Sequence, residues 1–189
     1  MSAVAAQVGG SKTTLWSYFR SKEDLFEAVV EEIATSFSQA LDFEFRSGEP
    51  VDRTLGRFGR TFMDTVQTPA LVELQRLVTG EAGRFPELAR IYWHRGPARG
   101  KENLMQFLGQ RMAEGELRKG DASVAARHFA GMCQTGPHQM HVLGLLPPLS
   151  QAERGRIVEA AVDAFMVAWS AVQSAERTAV CDPPPRPLK

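Results

Sequence analysis

Along nearly the whole chain, apolar residues recur at spacings of three and four, the repeat of a helix with one buried face. Ser21-x-x-Asp24 predicts a capped helix start, a hydroxyl followed by an acid at the third position. The stripe Phe26, Val29, Val30, Ile33, Phe37, Leu41 and Phe45 carries that helix to about Arg46, where Ser47-Gly48-Glu49-Pro50 ends it. A second helix, about Val51 to Thr68, places Leu55, Phe58, Phe62, Met63 and Val66 on one face. Pro69 opens a third, to about Ala82, with Leu71, Val72, Leu74, Leu77 and Val78.

Gly83-Arg84-Phe85-Pro86 is a break, and the helix after it runs to about Glu114 with a bend at Gly96-Pro97. Asp121 caps a helix from Ala122 to about Val142, which Gly136-Pro137 should kink or split. The last helix, about Gln151 to Ser174, carries Ile157, Val158, Val162, Phe165, Met166, Trp169 and Val172 on one side. Such a stripe must be covered. The expectation is a homodimer in which this helix and the Ala122–Val142 helix form a four-helix bundle with a second copy. No run alternates with a strand's period of two, so the fold class is all-α. The Pro-rich tail from Asp182 is expected to be extended and disordered.

The first 26 residues change the picture from generic helices to a specific task. Ser2 to Phe26 reads as a short helix, a Gly9-Gly10 turn, a second short helix and the capped start of a third. Two short helices joined by a tight Gly-containing turn can set the second in a DNA major groove. That second helix is crowded with Ser11, Lys12, Thr13, Thr14, Trp16, Ser17 and Tyr18, while Leu15 and Phe19 face inward. From Met1 to Lys22 there are three cations, Lys12, Arg20 and Lys22, and no acid; the acids begin at Glu23. Formal net charge over the 189 residues is zero. A neutral chain with one basic tip suits a protein that meets phosphate at one end only.

Val8-Gly-Gly-Ser-Lys-Thr-Thr-Leu-Trp-Ser-Tyr-Phe-Arg-Ser-Lys-Glu-Asp-Leu25 resembles the signature of the TetR family of bacterial transcriptional repressors. Arg76-Leu-Val-Thr-Gly-Glu-Ala-Gly-Arg-Phe-Pro-Glu-Leu-Ala-Arg90, with Gly96-Pro-Ala-Arg99 and Gly115-Glu-Leu117, is similar to that family's AefR-like C-terminal domain. Together the two resemblances span most of the chain. They imply a DNA-binding head with its connecting helix over 1–46, a helical ligand-binding and dimerisation body over 47–175, and a tail over 176–189. The partners implied are double-stranded operator DNA, a small-molecule effector and a second copy of the chain. By residue-by-residue resemblance, Thr14, Trp16 and Lys22 should meet phosphates. Lys12, Thr13, Ser17 and Tyr18 should lie nearest base edges.

The chain departs from the pattern in three ways. Gly10 stands where an apolar residue usually packs under the turn, and Trp16 where a Tyr usually reaches the backbone of the DNA. The family also places a further helix before this motif, whereas the sequence opens in the first helix of the helix-turn-helix. Val4, Val8, Leu15 and Phe19 would then lose part of their cover, at about 1.5–3 kcal/mol per exposed side chain. Two expectations follow: a start upstream of Met1, or a truncated dimeric ligand-binding protein that no longer binds DNA.

Other chemistry is sparse. Cys133 and Cys181 form no disulfide framework and fit a reducing cytosol, and no secretory leader or run of about 18 apolar residues predicts export or membrane insertion. The expected location is cytoplasmic, with no membrane partner. His128, His138, His141 and Cys133 cluster on one helix but lack a completing carboxylate or Cys pair, so neither metal nor cofactor is expected. With no G-x-S-x-G and no phosphate loop, an enzyme is not expected. Phe62, Met63, Trp93, Phe107, Met132 and Met140 are candidates for lining an effector cavity, with plain core as the competing reading. Glu73, Arg76, Glu81 and Arg84 are weighed for the same role against surface ion pairing.

Overall fold

The computed structural model describes residues 17–40, 43–46 and 48–171. They contain eight helices: α1 Lys22–Ala40, α2 Val51–Val66, α3 Pro69–Glu81, α4 Pro86–Arg95, α5 Pro97–Ala113, α6 Ala122–Gln134, α7 Pro137–Val142 and α8 Gln151–Trp169. Among the described residues there is no strand, only one isolated bridge between Leu117 and Ser170. The all-α expectation holds.

The helix starts follow local chemistry. At α1 the Ser21 hydroxyl accepts from Asp24 N–H at 3.0 Å, and the Asp24 carboxylate accepts from Arg20 N–H at 3.2 Å. Asp121 accepts from Ser123 N–H at 2.7 Å to cap α6, and Ser150 with Glu153 forms a full capping box on α8. Proline stands in the first turn of α3, α4, α5 and α7, where its missing N–H costs nothing.

Two boundaries differ from expectation. The helix expected over Pro86 to Glu114 is two helices, broken at Gly96, because Pro97 cannot donate to the preceding turn. The split expected within Ala122 to Val142 is present, at Gly136 with φ of +69°, a conformation glycine adopts without strain. The α1 helix stops at Ala40, short of Arg46. Phe45 leaves its stripe for the body, where it stacks on Phe107 at 4.5 Å, and Arg57 lies 4.1 Å over the Phe43 ring. Arg57 also donates to the Glu44 carbonyl at 2.9 Å, which satisfies backbone that no helix serves.

Two apolar clusters organise the molecule. The larger joins α2, α5, α6 and α8 through buried Leu55, Phe58, Leu108, Phe129, Val158 and Phe165. Gly59 lets α2 and α8 approach closely, since a Cβ there would sit 2.7 Å from Val158 Cγ1. The smaller cluster, Phe26, Val30, Leu74 and Val78, fastens α1 to α3, and Leu71 packs against both clusters. Arg95 of α4 adds ion pairs to Glu27 at 3.5 Å and Glu31 at 3.2 Å on α1.

The stripe assigned to a dimer seam needs correction. Phe165 and Trp169 are buried within the protomer itself, at 0% and 3% exposure. The Trp169 ring stacks on Phe165 and lies beneath the Arg118 guanidinium at 3.9 Å. The opposite face of α8, with Ala160, Ala164 and Val167, is the exposed one. Val172 and the Pro-rich tail lie outside the described residues.

Candidate functional site

A cavity of about 260 Å³ lies where the two clusters meet. From α1 it takes Val30 and Ile33; from α2, Phe58, Phe62 and Val66; from α3, Leu71, Leu74 and Gln75. Tyr92 and Trp93 of α4 and the Gly96–Pro97 break close another side, with Lys101 and Leu104 of α5 beyond. One face of α6 completes it with Ala126, Arg127, Ala130 and Gln134. Trp93 is 53% exposed and Arg127 is exposed, so they mark the mouth. Burial raises the Tyr92 phenol above its usual value, which keeps its O–H as a donor.

Of the six residues proposed to line such a cavity, the structure brings two together there, Phe62 and Trp93. Met63 and Phe107 are buried in the main cluster, and Met132 packs against its outside. Met140 is 41% exposed on α7. Glu73 and Arg76 pair with each other at 2.6 Å, and Arg76 also donates to the Val142 and His141 carbonyls, pinning α7 to α3. Neither they nor Glu81 and Arg84 line the cavity. Gln75, Tyr92, Lys101, Arg127 and Gln134 were missed because isolated polar residues on helices read as solvated faces; no spacing marks them.

The histidines have structural partners. His138 is buried and meets Gln67 Nε2 through Nδ1 at 2.8 Å, while His141 Nδ1 meets the Leu146 carbonyl at 3.0 Å. Desolvation, then the neighbouring His141, lowers the pKa of His138. Burial pushes the Cys133 thiol up to about 12, so it is inert. Among the described residues no group of three or more His, Cys, Asp or Glu could hold a metal ion.

At the other end, Tyr18 is 78% exposed, and Ser17, Arg20 and Lys22 are exposed beside it. These residues precede or open α1, the same helix that walls the cavity. Lys12, Thr13, Thr14 and Trp16 lie outside the described residues. Among the described residues no helix is long and apolar enough to cross a membrane.

An all-α body with an internal cavity, joined by one helix to a basic, tyrosine-bearing tip, fits a DNA-binding regulator. The comparisons agree. Residues 53–171 match the AefR-like transcriptional repressor, C-terminal domain, and residues 1–29 match the family of bacterial regulatory proteins, tetR family. The chain belongs to the TetR family and is a DNA-binding transcriptional regulator, in a family of regulators rather than enzymes. The flavonoid-responsive regulator FrrA is 31% identical, with 90% of this chain and 86% of that one covered at a TM-score of 0.73. A protein described as a TetR-family transcriptional regulator from Mesorhizobium loti MAFF303099 is 25% identical, covering 89% and 85% at 0.71. A TetR family regulator from Pseudomonas syringae pv. tomato str. DC3000 shares the fold at 20% identity, covering 90% and 85% at 0.74. No curated protein matches the chain.

Proposed function

We propose that this regulator is a repressor released from its operator by a small molecule bound in the body cavity. One observation carries the reading: Val30 and Ile33 of α1 form part of the cavity wall, and α1 is the helix that leads out of the DNA-contacting tip. A ligand that fits best with α1 displaced would favour a head arrangement that misfits DNA, and its differential affinity sets the size of that shift. The proposed division is a head with its connecting helix over 1–46, a body over 47–175 and a tail over 176–189.

In this reading Thr14, Trp16 and Lys22 hold phosphates, while Lys12, Thr13, Ser17 and Tyr18 read bases. Two copies pair through the exposed Ala160, Ala164 and Val167 face of α8, whose residues lie four and three apart on one side. Paired heads would engage half-sites one helical turn, or a multiple of it, apart. The protein would act in the cytoplasm, where its DNA is. FrrA, by its name, responds to flavonoids; a cavity flanked by Phe58, Phe62, Tyr92 and Trp93 suits a ring-bearing effector here too.

The test is selection of bound duplexes from a random pool, followed by titration of the winner with and without a panel of flavonoids and simpler aromatics. A two-fold-related site that is released by at least one ring compound, and no longer released when Ala130→Trp fills the cavity, is the expected outcome. Enrichment of no sequence would refute the DNA reading. A specific site that no panel member releases would count against the effector reading.

A further inference from the structure

The cavity lining is one-sided in charge. Among the described residues no Asp or Glu lines it, whereas Lys101 of α5 and Arg127 of α6 both do. Among the described residues five other cations of the body have acidic partners: Arg57 with Glu49, Arg76 with Glu73, Arg95 with Glu27 and Glu31, Arg111 with Glu114 and Glu116, and Arg154 with Asp64. Among the described residues Lys101 and Arg127 have no such partner within 4.0 Å. Lys101 is half-buried and Arg127 is exposed.

The neutral polar groups have complementary roles. Gln75 and Gln134 can donate or accept, and the Tyr92 hydroxyl remains a donor. Around these polar groups the wall is apolar and aromatic. A cavity of about 150 Å³ holds one benzene ring; the volume here, about 260 Å³, has room for a fused or linked ring pair.

Resting on the effector reading above, we propose that the ligand is an aromatic monoanion, a ring system bearing one carboxylate, sulfonate or phenolate. Its rings lie against Phe58, Phe62 and Tyr92. Its charge sits toward the mouth, between Lys101 and Arg127. The anion supplies the partner that these two side chains lack, and the described lining offers a cation no carboxylate.

Two fluorescent probes with the same rings test this. 1-Anilinonaphthalene-8-sulfonate carries a sulfonate, and N-phenyl-1-naphthylamine is the same skeleton without it. Both are titrated into the full chain. The sulfonate should bind about tenfold tighter, as two partly screened ion pairs would give. Raising the salt should shrink that preference, and the Lys101→Gln/Arg127→Gln double variant should reduce it to within about twofold. Ala130→Trp, which fills the cavity, should abolish binding of both probes. Equal affinity for the two probes, or a preference that survives the double variant, overturns the anion while leaving the cavity as a binding site. Binding of neither probe, or binding untouched by Ala130→Trp, removes the cavity reading and this proposal with it. Because the preference and its salt dependence are read on the unsubstituted chain, the proposal is decided even if the double variant does not fold.

Discussion

Replacing Trp169 with alanine separates a core residue from an interface residue. The ring is 3% exposed, stacks on Phe165 at 6.0 Å and carries the Arg118 guanidinium 3.9 Å above it. It also presses on the loop before α6, where a Cβ at Gly120 would come within 2.9 Å of the ring. Emptying such a site costs about 3–5 kcal/mol through lost transfer energy and the cavity left behind. The Arg118 N–H to Trp169 carbonyl bond, at 2.8 Å, uses backbone only and survives, so the helix end should stay in place. Against a total stability of about 5–15 kcal/mol the loss is large. At about 2–4 °C per kcal/mol for a chain of this size, the thermal midpoint should fall by roughly 6–20 °C. The assay is urea unfolding followed by circular dichroism at two protein concentrations a hundredfold apart, with light scattering in the absence of urea. The midpoint should drop equally at both concentrations, while the native mass remains that of the wild type. A changed mass with an unshifted midpoint would show that Trp169 faces a second copy, and the placement of the α8 core face would be wrong.

On the opposite face of α8, Val167→Glu should halve the native mass at micromolar concentration with little loss of helical signal; an unchanged mass refutes the proposed seam. Lys22→Ala should weaken binding to all duplexes about equally and reduce the salt slope by about one unit, while Tyr18→Ala should change base preference; an intact affinity and slope for the lysine variant would show that the tip docks otherwise. His138 has a depressed folded-state pKa, so the unfolded chain takes up the proton first. The stability contribution is present above the ordinary histidine range and is lost as pH falls through the folded value, at up to about 1.4 kcal/mol per pH unit; His138→Asn should flatten the decline in denaturation midpoint between pH 7 and pH 5, and an equal slope in both proteins rules His138 out. Gly59→Ala should destabilise by about 1–3 kcal/mol through overpacking against Val158, despite alanine's better helix propensity; adding Val158→Ala should recover part of the loss, and a neutral Gly59→Ala would mean that α2 and α8 are not in such close contact.

Local chemistry is why so much of this molecule can be read from its residues in order. The all-α class follows from spacings of three and four, and the starts of α1, α6 and α8 follow from Ser21, Asp121 and Ser150, because a cap acts within one turn of the residues that form it. The breaks at Gly96-Pro97 and Gly136-Pro137 are equally local, since a proline deletes an N–H at its own position. The tip announces itself because recognition needs a fixed set of side chains on one short helix.

What lies beyond a few turns was decided by the tertiary structure. A periodic stripe says that a face is buried, not what buries it, so Phe165 and Trp169 gave no sign that their own protomer covers them. Phe45 looked like the end of the α1 stripe until Phe107, distant in sequence, offered it a stacking partner. The cavity is the clearest case. Val30, Phe62, Trp93, Lys101 and Arg127 come from five helices, and no property of any one helix marks them as neighbours. Their shared surface exists only because the two apolar clusters, each complete in itself, meet at Leu71 without filling the space between them.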